Sequence, residues 1–279
     1  MRVVSAWGAE MHCDIPAYRR LNGPFPVLAG MVLWFLLIIM SPVRSFSAVS
    51  DDEIRSFQRA IAERPLGERI ALWAEKFVGT PYDPDPLGEY VRRNVIVADD
   101  RVDCMYLSFR TVELAMSSTP EEAAVIALDK RFVDRGIPEG NGVQNYGNRF
   151  QYGEDMIESG KWGREITADI GPVIFIRGSR GRERVGMVTR ESLQVLLRKP
   201  ENAGMGFKNG DFVFFIKSPE KRYEGEIVGH IGIIRREGND TYLIHASGRK
   251  MGEGSVRKVP FSDYIGSMPF AGIRVTRFE

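Results

Sequence analysis

Apolar positions in the first half of the chain recur at helical spacing. Asp51-Asp52-Glu53 opens a predicted helix whose apolar face is Ile54, Phe57 and Ile61. A second is predicted over Leu66–Val78, where Ile70, Trp73, Ala74 and Phe77 share one side. Gly79 to Pro86 is turn chemistry, and Val95-Ile96-Val97 suggests a short strand. Asp103 suits an N-cap, so a helix should open at Asp103 or Cys104 and carry Leu107, Val112, Leu114 and Ala115. Another is predicted over Thr119–Phe132, with Thr119 as cap, Pro120 in the first position and Glu121 and Glu122 in the first turn.

The pattern then changes. Pro172–Ile176, Asp211–Ile216, Val228–Ile234, Tyr242–His245 and Gly272–Phe278 are β-branched or aromatic runs bounded by glycine, proline and charge. One helix, Thr189–Leu197, interrupts them. Helices first and strands after predict an α+β fold, with N-terminal helices packed on an antiparallel β-sheet. No repeat, low-complexity tract or linker divides residues 49–279, so one domain with an insert around 130–200 is expected.

The longest apolar run stands outside this scheme. Val27–Met40 is uncharged, Arg19 and Arg20 precede it, and Ser41 to Ala48 follow it. A basic flank, a short apolar core and small residues describe an export signal, with Ser45 and Ser47 placing a cut before Ala48. The run is shorter than the roughly 20 residues that span a bilayer, which favours cleavage over retention as a membrane anchor. Residues 1–48 are therefore read as a signal peptide or N-terminal membrane anchor, and the rest of the chain as exported to the periplasm or cell envelope.

Composition narrows the function. Hydrophobic residues make up 43% and charged residues 27%, an ordinary globular balance. A net charge of +1 gives no reason to expect nucleic acid as a partner. The basic run Arg177–Arg184 is expected to be a solvated hairpin tip. The chain has two cysteines, and Cys13 lies in the leader, so cleavage leaves Cys104 as the one thiol. Such a thiol in an oxidising compartment is buried or used.

His230 and His245 are the two histidines beyond the leader. A hairpin through Arg235–Thr241 brings them side by side. Cys104 at a helix N-terminus gains the thiolate stabilisation that nucleophilic chemistry needs, and its backbone N–H can face an oxyanion. His230, between Gly229 and Gly232, could then serve as base, with the glycines admitting a ligand or the helix, and His245 could orient it. Each residue alone is also compatible with plain structure: a small buried hydrophobe and two satisfied strand histidines. The three could alternatively ligate zinc, although no close Cys-x-x-Cys or His-x-x-x-His pairing supports that.

Five segments in order sharpen the reading. Gly79-Thr80-Pro81-Tyr82, Asp103-Cys104, Gly210-Asp211 with its strand, His230-Ile231-Gly232-Ile233 and Leu243-Ile244-His245-Ala246-Ser247 resemble the NlpC-type family of papain-like cell-wall hydrolases. The long insert, Asn148–Tyr152 with Asp155–Ile157, and the Phe261–Ile265 and Gly272–Val275 ending resemble an N-acetylmuramoyl-L-alanine amidase-like subfamily formerly catalogued as a domain of unknown function. The chain departs from that subfamily at Gln151, Met156 and Met105-Tyr106.

The resemblance implies a papain-like cysteine hydrolase fold, no cofactor, and a Cys104, His230, His245 triad. It implies a peptidoglycan or muropeptide substrate, cut at the N-acetylmuramoyl-L-alanine amide bond. Tyr82, Asp103, Arg149 and Tyr152 are the substrate-binding candidates. Alternatives on the same fold are a stem-peptide endopeptidase, an acyltransferase or an inactive wall-binding module.

Overall fold

The helical half is built as its capping signals predict. In the computed structural model, which describes residues 49–140, 142–197, 206–249 and 251–279, α1 spans Asp51–Ile61 and starts at a reciprocal Ser50–Glu53 capping box. It buries Ile54, Gln58 and Ile61. Helix α2 covers Leu66–Lys76 and α3 covers Glu89–Arg92. Helix α4 runs Cys104–Met116, with ten residues from Tyr106 to Ala115 buried, so it is the central helix. Helix α5, Pro120–Lys130, is capped by Thr119.

The Val95–Val97 segment is not a strand. Among the described residues its one pairing is an isolated bridge from Val95 to Gly142, and the neighbouring chain folds on itself as the two-residue strands β1 (Pro138–Glu139) and β2 (Gly142–Val143).

After α6 (Gly153–Glu158), β3 (Arg164–Glu165) and α7 (Thr167–Ile170) come the strands β4 (Val173–Arg177) and β5 (Arg184–Thr189), helix α8 (Arg190–Leu197), and β6 (Phe212–Ile216). The chain continues through β7 (Val228–Glu237), β8 (Asp240–Gly248), β9 (Gly254–Pro260), α9 (Phe261–Ser267) and β10 (Gly272–Arg277). The sheet order is β4-β5-β10-β6-β7-β8-β9, with β3 also on β10 and every pairing antiparallel. The α+β class and the antiparallel sheet are thus as predicted, whereas the short α3, α6 and α7, the strands β1, β2, β3, β5 and β9, and α9 are additional.

Alternation along the strands divides the core between two faces. Phe212, Phe214, Ile231, Ile233 and Ile244 meet Trp73, Leu107 and the other helical side chains. Val213, Phe215, Ile234, Leu243 and Ile273 meet Leu193, Phe261 and Ile265 of α8 and α9.

The basic β4–β5 tip is not merely solvated. The Arg180 guanidinium lies 3.4 Å from the Tyr152 ring centre and 3.3 Å from Glu154, and Arg182 bonds Asp155 at 2.8 Å and Glu158 at 2.6 Å. Helix α6 presents those three carboxylates together, which draws the arginines down onto it. Residues 1–48, where a leader is expected, lie outside the described residues. Among the described residues no helix is long and apolar enough to cross a membrane.

Candidate functional site

Cys104 is the first residue of α4. The Asp103 carboxylate caps that helix by accepting from Tyr106 N at 2.8 Å, and the Asp103 carbonyl accepts from Leu107 N at 2.9 Å. The helix is anchored beneath by buried charges. Arg110 donates to Asp99 at 2.9 Å, and Arg131 donates to Glu113 at 2.5 and 2.7 Å. The Tyr106 hydroxyl donates to Asp99 at 2.7 Å and accepts from Ala98 N at 2.6 Å. Breaking such a buried network is costly, so it fixes the height and rotation of α4 and therefore of Cys104.

The Tyr82 segment is sewn beside it. Tyr82 N donates to Gly254 O at 2.8 Å, and Tyr82 also bridges Val102, two residues before Cys104. The Tyr82 ring lies on Gly248, where a Cβ would come within 2.2 Å of it. This close approach requires glycine.

The histidines come from the adjacent strands β7 and β8. His230 Nε2 lies 2.9 Å from His245 Nδ1, so one hydrogen bond joins the rings. They meet almost at right angles, 86°. Phe270 is nearly parallel to His230 at 6°, with centroids 6.3 Å apart, and Phe215 stacks on it at 5.8 Å. The glycines flanking His230 were expected to admit a ligand or the helix. They make room instead for the protein's own side chains: a Cβ on Gly229 would reach 2.7 Å from Phe270, and one on Gly232 would reach 2.6 Å from Leu243.

Burial and the neighbouring His245 push His230 down to about 3, while burial and Arg257 push His245 down to about 4. Both rings are consequently neutral at neutral pH, one able to accept a proton and the other able to accept a hydrogen bond. Burial and the charge of Cys104 raise the phenols of Tyr82 and Tyr264 above the usual tyrosine range. Among the described residues no group of three or more His, Cys, Asp or Glu is arranged to hold a metal ion.

A cleft of about 680 Å³ is lined by all seven residues singled out from the sequence: Tyr82, Asp103, Cys104, Arg149, Tyr152, His230 and His245. Asp103 is only 7% exposed, and its carboxylate faces the helix backbone that it caps. Arg149 and Tyr152 belong to the insert and form one wall with Phe150 and Gln151. Glu154 fastens that wall to the histidine strand: its fully buried carboxylate accepts from Ile227 N at 3.2 Å and Val228 N at 3.1 Å.

Tyr264 and Phe270 also line the cleft and touch the histidines, yet the sequence reading gave them no part in it. The one available signal was the position of Tyr264 within the Phe261–Ile265 ending.

No protein-family model and no curated protein matches the chain. Solved structures do. An N-acetylmuramoyl-L-alanine amidase from Bacteroides uniformis matches with a TM-score of 0.57 and 20% identity, over 77% of this chain and 99% of that one. A Legionella pneumophila protein from a family of unknown function matches with a TM-score of 0.61 and 16% identity, over 81% of this chain and 93% of that one. A Bacteroides fragilis protein described as a xylanase matches with a TM-score of 0.54 and 20% identity, over 75% and 100%. The chain shares their fold. At these identities, and with names that differ in chemistry, the likeness reaches no further than that.

Proposed function

We propose that this protein is an exported cell-wall amidase that cleaves the N-acetylmuramoyl-L-alanine bond of peptidoglycan or a muropeptide through a thioester on Cys104. The observation that carries the reading is one cleft holding a thiol at a helix N-terminus and a hydrogen-bonded histidine pair. Five motifs in the order of the NlpC-type family support it, as does the amidase name of a structural neighbour. The leader at residues 1–48 supports export to the periplasm or cell envelope.

The roles follow from the hydrogen bond. His230 uses Nε2 toward His245, which leaves Nδ1 for the Cys104 proton. The neutral imidazole takes that proton, and the N-terminus of α4 favours the thiolate left behind. The thiolate attacks the lactyl carbonyl carbon. The C–N bond then breaks, and His230 returns the proton to the departing amino group of alanine. Water, deprotonated by the same ring, releases N-acetylmuramic acid from the thioester. His245 stays neutral throughout and accepts from His230 Nε2–H, holding the ring and stabilising its charged form. Tyr82 walls the nucleophile, Asp103 sets the helix start, and Arg149 and Tyr152 grip the sugar or stem peptide.

The test is a defined N-acetylmuramoyl-tripeptide analysed by mass. N-acetylmuramic acid and an intact peptide beginning with L-alanine are expected. A fragment retaining alanine on the sugar would replace the reading with a stem-peptide endopeptidase.

A further inference from the structure

Two clefts share one wall. Arg149, Phe150, Gln151 and Tyr152 line the cleft of about 680 Å³ that holds Cys104, and they also line a second, outer cleft of about 370 Å³. Arg180, from the tip of the β4–β5 hairpin, lines the outer cleft and is not among the described residues that line the inner one. Its guanidinium lies 3.4 Å from the Tyr152 ring centre. One face of Tyr152 is therefore covered from the outer side, and the rest of the ring meets the inner cleft.

The same guanidinium reaches Glu154 at 3.3 Å and Asp155 at 3.5 Å. The Glu154 carboxylate in turn accepts from Ile227 N and from Val228 N, two positions before His230. Arg180 thus ties Tyr152 to the strand that carries the histidine base. The hairpin tip is held from its other side as well: Ser179 Oγ donates to Gly225 O at 2.5 Å, and Arg222 Nη1 donates to Arg177 O at 2.7 Å. Arg180 itself has a φ of 53°, a left-handed conformation that favours glycine, which stands next to it as Gly181 at 79°. An arginine keeps this strained position where its side chain is held, here by a ring and two carboxylates.

We propose that Arg180 is a positioning residue that fixes the Tyr152 ring for substrate. By covering one face of the ring and bonding Glu154, it sets the orientation of Tyr152 relative to His230 before the sugar or stem peptide arrives. The proposal rests on the reading of Tyr152 as a residue that grips the substrate. Arg180 acts through that ring and touches no reacting atom. A ring already held loses little freedom on binding, so the effect belongs to affinity. Its loss raises KM and leaves kcat, because ground state and transition state lose the same contact.

Wild type, Arg180→Gly, Arg180→Lys, Tyr152→Ala and the double variant Arg180→Gly/Tyr152→Ala are assayed on N-acetylmuramoyl-tripeptide, with melting curves alongside. Arg180→Gly removes the side chain and relieves the backbone. It should raise KM about 5-fold, the size of one cation–π contact, with kcat retained. Arg180→Lys keeps a cation over the ring and should recover most of that loss. Tyr152→Ala should raise KM by itself, and adding Arg180→Gly should raise it no further, since no ring is left to position. Should Arg180→Gly fail to fold, Arg180→Gln, which keeps an amide donor for Glu154, carries the same comparison. Wild-type KM in the Arg180 variants overturns the proposal. So does an equal rise in KM with and without the Tyr152 ring, which would reduce Arg180 to general packing. Wild-type KM in Tyr152→Ala overturns the reading of Tyr152 and the proposal with it, while turnover by the wild type still upholds the amidase reading. A wild type that leaves the amide bond whole overturns the functional reading itself.

Discussion

At the level of single residues, the two histidines are not equivalent. His230 is partly buried and keeps Nδ1 outside the hydrogen bond, whereas His245 is 5% exposed and faces the buried side of the pair. The proton-transferring residue should therefore be His230, and the loss of a general acid–base group typically costs 10²- to 10⁴-fold. His230→Ala is expected to be nearly inactive. His245→Asn should retain measurable turnover, because the asparagine oxygen can accept from His230 Nε2–H in place of the ring. Steady-state rates on a muropeptide check this, and an active His230→Asn beside an inactive His245→Asn would exchange the two roles. Cys104, His230 and His245 were legible because thiols and imidazoles are scarce in this chain. Tyr264 and Phe270 were not, because they are two of 25 tyrosines and phenylalanines and nothing local marks them. Gly229 was legible as a close approach but not as to what approaches, since Phe270 is 41 positions away in sequence.

Among the elements, helices with strong caps were the most readable. Asp103 and Thr119 each announce a helix start and cap the helix that follows, and the acidic Asp51-Asp52-Glu53 opening marks the first, which the structure caps with Ser50. Strands with long apolar runs, β6 and β7, were equally plain because both of their faces are buried. β9 was missed because Gly254–Pro260 interrupts its apolar positions with Arg257 and Lys258, and it is a strand by virtue of its pairing with β8. α9 was missed because it follows β9 without a loop and is seven residues long. The Val95–Val97 segment failed in the opposite sense, having β-branched residues but only an isolated bridge at Val95. Propensity at a strand edge is decided by the neighbours. The docking of the β4–β5 tip depends on Glu154, Asp155 and Glu158, some 20 to 30 residues earlier. Charge content alone suggested solvent, and only the fold brings opposite charges together.

For the whole molecule, the histidine pair couples stability to pH. In the folded chain burial holds His230 near 3 and His245 near 4, and an unfolded histidine titrates near 6.5. Between these values the unfolded chain binds protons that the folded chain excludes. This contribution is therefore fully present above about pH 6.5 and is lost as pH falls toward the folded values. One unit below 6.5 the loss is on the order of 1 kcal/mol per histidine. Melting temperatures should fall between about pH 6.5 and 5, and the double variant His230→Gln/His245→Gln should flatten that slope. An unchanged slope would assign the acid sensitivity to other groups. The central claim is that the reaction passes through a covalent bond to Cys104, and rapid quenching during turnover of N-acetylmuramoyl-tripeptide followed by intact-protein mass measures it most directly. The account predicts a transient N-acetylmuramoyl adduct mapping to Cys104 in the wild type, with neither adduct nor turnover in Cys104→Ala. Sustained hydrolysis by Cys104→Ala would contradict it.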